Sequence, residues 1–306
     1  MQNEQTNIDV IIPVFNGAHY IKAAVQSVLA QTVLPGSLLV VNDGSTDNTK
    51  EIVERIKAET VSSVNIQIIN QENKGPSTAR NAGIKASSAK YIAFLDADDL
   101  WLPGKLEEQL RVFRTTELKN TGLVYCNYKM IDENGNDASS AEVIRIRKEI
   151  RGFVFEKFQR GNLISGSGSG VMVKRECFEK AGLFDEELGA FEDWDMWLRI
   201  AQSYEFDYTE KIVLCIRTHS KNMQKDIYHM NRNGLRFYKK WISLVNDKET
   251  IRQWAFRIAK PVYVNGYNKE YLATIRSIFE KQELKKLFAA TFGSIGLYIF
   301  LKRITG

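Results

Sequence analysis

YIAFLDADDLW, residues 91–101, is the stretch on which the architecture turns. The run from Tyr91 to Leu95 is short and apolar, which is the pattern of a buried strand. It stops abruptly at three carboxylates, Asp96, Asp98 and Asp99. A strand that delivers acids at its C-terminal edge sets them where open α/β sheets bind ligands. Asp96 and Asp98 flank the small Ala97, a spacing that can hold a hard divalent cation whose other ligands are phosphate oxygens. The competing reading is a solvated acidic turn. A calcium loop of the EF-hand type is excluded, because Trp101 stands where that loop needs glycine.

Upstream of this stretch, three apolar runs alternate with three helical patterns. Residues 10–14 form the first strand, and Pro13 is expected to mark its end. Asn16 and Gly17 make the turn into a helix whose apolar positions are Tyr20, Ile21, Ala24, Val25, Val28 and Leu29. Residues 37–41 form the second strand and run into NDGSTDNT. There Asp43, Gly44 and Ser45 turn, and Ser45 or Asp47 caps a helix over 48–58. A third strand over 64–69 leads to NQENKGPSTARNAGIKAS, where Gly75 and Pro76 precede a helix over 77–86. The order strand–helix repeated up to the acidic strand predicts a parallel sheet with right-handed crossovers. In such a sheet the polar turns at Asn16, Asp43, 74–80 and 96–99 all fall along one edge and converge on one crevice.

Downstream, 106–113 reads as a helix and 122–130 as a strand, and IDENGND is a turn. Residues 139–160 are charged and give no clear periodicity. ISGSGSGVMV, within 162–173, is a glycine- and serine-rich loop entering a strand; it either closes on a sugar or simply connects. A helix over 191–201 carries Glu192 and Asp193 in its first turn, where the helix dipole favours anions. Trp194, Trp197, Leu198 and Ala201 share one of its faces. A last strand, 212–216, is followed by RTHSKN with His219.

The 306 residues are 44% hydrophobic and 26% charged, a globular profile sufficient for one large domain and an appendage. Cys126, Cys177 and Cys215 have no metal-ligand spacing and are expected as buried thiols in a reducing compartment. The polar first eight residues and the short run after them do not make a secretory leader, so a cytoplasmic chain is expected. Charge is distributed unevenly. Residues 1–221 carry 26 Lys and Arg against 31 Asp and Glu, whereas residues 222–306 carry 16 against 6. The second region is expected to meet an anionic surface, or to be a basic helical face that keeps the protein in solution.

With these motifs assembled, residues 8–221 resemble the family 2 glycosyltransferases, inverting enzymes of the GT-A fold. The resemblance rests on PVFN (13–16), DGSTD (43–47), NKGPSTARNAG (73–83), DADD (96–99), EDWDMWLR (192–199) and RTH (217–219), in that order and spacing. It implies an α/β fold, a mostly parallel sheet flanked by helices, followed by a helical extension over 222–306. It also implies transfer of a sugar from a nucleotide-diphosphate donor to a hydroxyl of a glycan or lipid-linked acceptor, in cell-surface polysaccharide synthesis. On this resemblance Pro13, Phe15 and Asp43 match base-binding positions, and Gly75 and Arg80 match the segment lining the nucleotide. Asp96, with Ala97 beside it, matches the position facing the ribose and metal. Asp98 matches the ligand of a divalent ion, Mn2+ or Mg2+, and His219 a further metal or diphosphate contact. Asp193 matches the general base; Glu192 is expected to orient the helix terminus or the acceptor, and Trp194 is offered on the acceptor side, although Trp194 and Trp197 read as core ahead of a sugar platform. Many relatives have Glu where Ala18 stands here, a departure that bears on base or ribose recognition; a UDP-sugar is the preferred donor.

The chemistry is consistent with the residues themselves. Negative charge grows on the leaving diphosphate, which a cation at Asp98 stabilises, and the acceptor hydroxyl needs a positioned base. One acid on each side of the crevice suffices for in-line displacement with inversion. Two other classes compete with this one. A sugar-phosphate nucleotidyltransferase would carry an arginine in the first strand–helix loop, and PVFNGAHY has none. A nucleotide-sugar-binding or scaffold protein would not need both Asp98 and Asp193.

The basic region 222–306 is expected to be helical. Its run LFAATFGSIGLYIFL, 287–301, is uncharged and bracketed by Lys285, Lys286, Lys302 and Arg303. Fifteen residues make about 22 Å of helix, short of a ~30 Å hydrocarbon core. The run is therefore expected to lie at the inner face of the plasma membrane as an interfacial or re-entrant helix. A buried packing helix or an oligomer contact is the alternative. No nucleic-acid-binding module is recognisable, and the aromatics are expected as core positions.

Overall fold

In the computed structural model the structure is described for residues 7–138, 150–164, 168–220, 222, 226–265 and 269–289. Its chain divides into two compact units. The first comprises Met1–Phe158, Asn162–Glu187 and Glu192–Ser220; the second comprises Gln159–Gly161, Leu188–Phe191 and Lys221–Gly306. The division is therefore not one cut near 221, because two short internal segments belong with the C-terminal region.

The first unit is built on an eight-stranded mixed sheet. Four strands, β1 (Ile8–Val14), β2 (Ser37–Asp43), β3 (Asn65–Gln71) and β4 (Tyr91–Phe94), run parallel in the order β3-β2-β1-β4. Their crossovers are α1 (Ile21–Leu29), α2 (Thr49–Glu59) and α3 (Pro76–Ala86). Every residue of β1 is buried, as expected of a central strand covered on both faces. Helix α1 turns Ile21, Ala24, Val25 and Val28 inward, the spacing of one helical face.

Pro13 does not end β1, which continues to Val14. Residues two apart in a strand present their backbone groups to the same edge. The Ile11 carbonyl accepts from Leu95 N on the β4 side, so Pro13 faces that side too. The β1–β4 register has already finished at Ile11 opposite Phe94. The missing N–H of Pro13 therefore falls where no strand remains to pair with it.

Beyond β4 the sheet is not parallel throughout. It continues through β7 (Val171–Lys174), β6 (Thr121–Ile131), β8 (Glu205–Arg217) and β5 (Leu100–Trp101). The β4–β7, β6–β7 and β5–β8 pairs are antiparallel, and β6–β8 is parallel. Strand β8 is longer than the expected 212–216. Its acidic first half is accommodated because Asp207 takes hydrogen bonds from Arg151 and Thr116, and Glu205 from Asn120 N. Strand β5, two residues long, was not expected. Helices α4 (Lys105–Thr115), α6 (Arg175–Ala181) and α7 (Glu192–Ala201) complete the unit, with α5 (Phe155–Arg160) at a point where the chain passes between units. All three cysteines are buried free thiols.

The second unit is helical: α8 (Ile227–Trp241), α9 (Lys248–Asn265), α10 (Lys269–Ile278) and α11 (Lys281–Ala289). Its core is aromatic. Phe237 and Tyr238 pack on Trp254 with ring centroids 6.0 and 5.1 Å apart, and Phe191 packs on Phe237 at 5.7 Å. The Trp254 indole donates to the Gln159 carbonyl at 2.8 Å, which is why the short segment 159–161 belongs here. Among the described residues no helix is long and apolar enough to cross a membrane. Of the run 287–301, Leu287 is buried in α11, and residues 290–301 lie outside the described part.

Candidate functional site

The order β3-β2-β1-β4 fixes where a ligand can enter. From β1 the chain steps outward to β2 and β3, then returns to place β4 on the other side of β1. Crevices form at such a reversal, beyond the C-terminal ends of the two strands. Here those ends carry Phe15–Asn16 and 96–99.

The first three turns interlock. Asn16 adopts a left-handed φ of 49°, a conformation asparagine tolerates better than most residues. Its N–H donates to Ser45 Oγ at 2.9 Å, and its Oδ1 accepts from Thr46 N at 2.8 Å. Gly17 N donates to Thr49 Oγ1, and Ala18 N to Asp47 Oδ2. The amides of the turn before α1 are thus satisfied by side chains of residues 45–49. Ser45 does not cap α2; Asp47 accepts from Thr49 N at the start of α2 and from Ala18 N in the turn before α1. A Cβ on Gly17 would come 2.5 Å from Val14 Cγ2, so this glycine lets the turn fold back on the end of β1, with Ala97 Cβ at an ordinary contact distance of 3.6 Å. Asp43 is 3% exposed. Its carboxylate accepts from Gln71 Nε2, Lys74 N and Gly75 N at 2.7–2.9 Å, which shapes the turn into α3. Gly75 supplies the φ of 90° that this turn needs. Phe15 is half-exposed at the mouth, while Pro13 is buried beneath it.

The three acids of the β4 loop have separate partners. Asp99 points inward, 4% exposed, and accepts from Ser169 Oγ at 2.7 Å and Arg217 N at 3.0 Å. Ser169 Oγ also accepts from Asp96 N. Asp98 faces outward and meets His219 Nε2 at 2.9 Å. The reason His219 reaches it is β5: Leu100 pairs with Cys215, which lays the end of β8 beside the acidic loop. Arg217 Nε then donates to the Asp98 carbonyl, and the guanidinium lies 4.9 Å from the Tyr20 ring. Tyr20 in turn stacks on His219 at 5.1 Å. Burial, then the charge of Asp96, raises the Asp98 pKa; burial, then the charges of Asp98 and Asp96, raise Asp99 well above its ordinary value.

This concentration of negative charge is one a cation would relieve. Among the described residues no three His, Cys, Asp or Glu side chains can hold a metal ion by themselves. Asp98 and His219 do offer an oxygen and a nitrogen donor side by side. That fits an ion whose remaining ligands are diphosphate oxygens and water.

On the far side the structure shows how Arg80, Glu192 and Trp194 are held. Arg80 is enclosed by protein. It is 3% exposed and bridges two carboxylates, with Nη2 on Asp96 Oδ1 and Nη1 on Glu192 Oε1, both at 2.8 Å. Glu192 is thereby turned to Arg80. Trp194 is 3% exposed, and its indole donates to the Phe158 carbonyl at 2.8 Å. The ring is core, because on α7 its position falls on the face that also buries Trp197 and Leu198. Asp193 keeps part of its surface open. Its Oδ1 accepts from Trp194 N at 2.6 Å and its Oδ2 from Asn162 Nδ2 at 3.0 Å. Burial raises the Asp193 pKa against these hydrogen bonds and the pull of Arg80. Burial also lifts Glu192 to about 7 in spite of Arg80. For Arg80 burial works against the charge, but Asp96 and Glu192 outweigh it and push the pKa up.

Sequence reasoning missed Tyr20, Asn162 and Ser169. Tyr20 looked like one more apolar position of α1. Ser169 sat inside a glycine-serine stretch whose purpose could not be read, and nothing distinguished Asn162 from a loop residue.

Comparison with known proteins agrees with this geometry. Residues 9–182 match the model of "Glycosyl transferase family 2". An uncharacterized glycosyltransferase of Rickettsia prowazekii is 30% identical over 273 residues, 86% of this chain and 82% of its own length. One from Rickettsia conorii is 31% identical over 250 residues, but the chain spans only 40% of that relative's length. The UDP-Glc:alpha-D-GlcNAc-diphosphoundecaprenol beta-1,3-glucosyltransferase WfgD of Escherichia coli is 40% identical over 129 residues, 42% of this chain and 47% of that protein. Among solved structures, S. aureus TarS 1-349 in complex with UDP-GlcNAc superposes with a TM-score of 0.68 at 16% identity, covering 97% of this chain and 90% of that one. The mannosyltransferase PcManGT from Pyrobaculum calidifontis, in complex with GDP-Man and Mn2+, gives 0.60 at 19% identity, covering 98% and 80%. The mixed α/β sheet is accordingly that of the GT-A glycosyltransferases. With the polar turns, the acidic loop and the α7 acids arranged around the β1–β4 reversal, and with these matches, the chain belongs to glycosyl transferase family 2.

Proposed function

We propose that the protein transfers a sugar from a UDP-sugar to a hydroxyl of a glycan or lipid-linked acceptor, with inversion at the anomeric carbon. The observation that carries this reading is the position of Arg80. One buried guanidinium joins Asp96, at the end of β4, to Glu192, next to Asp193. Donor-side and acceptor-side acids then belong to one site. Phe15 and Asp43 receive the base, and the β1–β4 crevice receives the diphosphate. Asp98 and His219 would hold a divalent ion, which when bound stabilises charge on the leaving diphosphate. Asp193 takes the proton from the attacking hydroxyl. Its raised pKa suits this role, since a base works best when its pKa lies near the operating pH.

UDP is favoured as the donor nucleotide by the printed activity of the WfgD relative. The same name, with its diphosphoundecaprenol, supports a lipid-linked acceptor for this chain and a place at the cytoplasmic face of a membrane. The excess of Lys and Arg over 222–306 is in keeping with that location.

A donor screen tests the reading, with nucleoside diphosphate release measured for UDP-, GDP- and dTDP-sugars in Mn2+ or Mg2+ and the product anomer assigned by NMR. Asp193→Asn should bind donor as before and lose turnover by roughly 10²-fold or more. The acid limb of the wild-type profile should lie above the ordinary aspartate range. Normal turnover by Asp193→Asn would place the base elsewhere.

A further inference from the structure

In the glycine- and serine-rich stretch before β7, Gly168–Gly170 make one buried turn of 3-10 helix. Ser169 is 0% exposed, and its hydroxyl is used twice: it donates to Asp99 Oδ2 at 2.7 Å and accepts from Asp96 N at 2.9 Å. One side chain therefore ties the first acid of the β4 loop to the last, with Asp98 between them. The other Asp99 oxygen accepts from Arg217 N at the end of β8, two residues before His219. The turn is itself held from behind. Trp101 Nε1 donates to the Ser169 carbonyl at 3.0 Å, and Gln109 Nε2 of α4 donates to the Gly170 carbonyl at 2.9 Å. Lys105, fully buried, joins these two: its Nζ lies 2.7 Å from Gln109 Oε1 and 4.0 Å from the centre of the Trp101 ring. Burying an ammonium costs free energy; what this one contacts are the two side chains that hold the turn.

We propose that Ser169 is a positioning residue for the divalent-ion site: it fixes the β4 loop from beneath, so that Asp98 is presented beside His219 to a diphosphate-bound cation. Trp101, Lys105 and Gln109 hold Ser169 in place. The inference rests on the reading that Asp98 and His219 hold the ion. Groups that hydrogen-bond around a metal site set the direction of its ligands, and losing one costs about 10- to 100-fold in metal affinity. Without the Ser169 hydroxyl, Asp96 N and Asp99 Oδ2 each lose a buried partner, which leaves the loop free to shift.

The test uses the full chain carrying Ser169→Ala, with UDP affinity measured by titration calorimetry with and without Mn2+. Without the ion, affinity should stay within about twofold of wild type. The gain in UDP affinity on adding Mn2+ should fall by about 10-fold or more, and hydrogen exchange of the amides of residues 96–99 should quicken. Trp101→Phe removes the donor to the Ser169 carbonyl and keeps a ring for Lys105. It should move both readings in the same direction, which covers the case of an unfolded Ser169→Ala. An unchanged Mn2+ gain in these variants would overturn the proposal. So would an equal loss of affinity with and without the ion, which marks a fold defect or a nucleotide contact. Asp98→Asn separates the proposal from the reading beneath it. If that variant keeps the full Mn2+ gain, or the wild type shows none, the assignment of the ion fails and the proposal falls with it. If Asp98→Asn loses the gain and Ser169→Ala keeps it, the ion site stands and the role of Ser169 alone is wrong.

Discussion

Glu192 and Asp193 are neighbours in sequence and share no partner in the fold. Asp193 retains an open side and hydrogen bonds to Asn162, while Glu192 is buried against Arg80. Burial moves the Glu192 pKa up from 4.5 to about 7. A carboxyl whose pKa rises on folding binds its proton more tightly in the folded state. Its contribution to stability is full below the unfolded pKa and is lost as pH rises through the folded one. Wild type should therefore lose stability relative to Glu192→Gln as pH climbs from about 4.5 to about 7, with no further change above that. Urea unfolding of both proteins across this range measures it. A difference that does not vary with pH would mean that Glu192 stays ionised throughout.

Helix α3 shows how an element is fixed by its back as well as by its functional face. Gly83 lies against β1, and a Cβ there would meet Ile11 Cγ2 at 2.5 Å and Cγ1 at 2.9 Å. Helix propensity alone favours Ala over Gly by about 1 kcal/mol. Ile11 is fully buried in the central strand and has little room to yield. Overpacking of this kind costs about 1–3 kcal/mol, so it should win, and Gly83→Ala should lower the urea midpoint in spite of its better propensity. A raised midpoint would show that α3 can back away from the sheet without loss.

On the scale of the whole molecule, the C-terminal region is a folded helical unit and not merely a basic tail. Leu284 and Leu287 of α11 are buried, and Lys286 Nζ donates to the Ile242 carbonyl at 2.7 Å. A truncation at 285 would therefore remove part of this unit's own packing. Ending the chain after Ala289 leaves α11 whole and removes most of the apolar run together with Lys302 and Arg303. The full chain should co-sediment with phosphatidylglycerol-containing vesicles and release with salt, and the shortened chain should bind them more weakly with an unchanged unfolding transition. Equal vesicle binding by both chains would assign membrane contact, if any, to the helices α8–α11 themselves.

The sequence by itself determined the alternation of strands and helices up to β4, because short continuous apolar runs and helical stripes are local signals. It also determined which turns carry acids, and its motifs sufficed for the family. It did not determine the partners of those acids. Asp96, Asp98 and Asp99 look equivalent in DADD, yet one meets Arg80, one meets His219 and one turns inward to Ser169. The two-residue strand β5 has no periodicity to read, and its pairing with β8 is what brings His219 to Asp98. The partners of Arg80 and Trp194 could not be read for a related reason. A side chain's exposure is set by what packs over it, and the groups that cover these two, Glu192 and the Phe158 carbonyl, come 112 and 36 residues away along the chain. Local patterning fixes secondary structure, but which polar group a buried charge finds is decided only when distant segments close on one another.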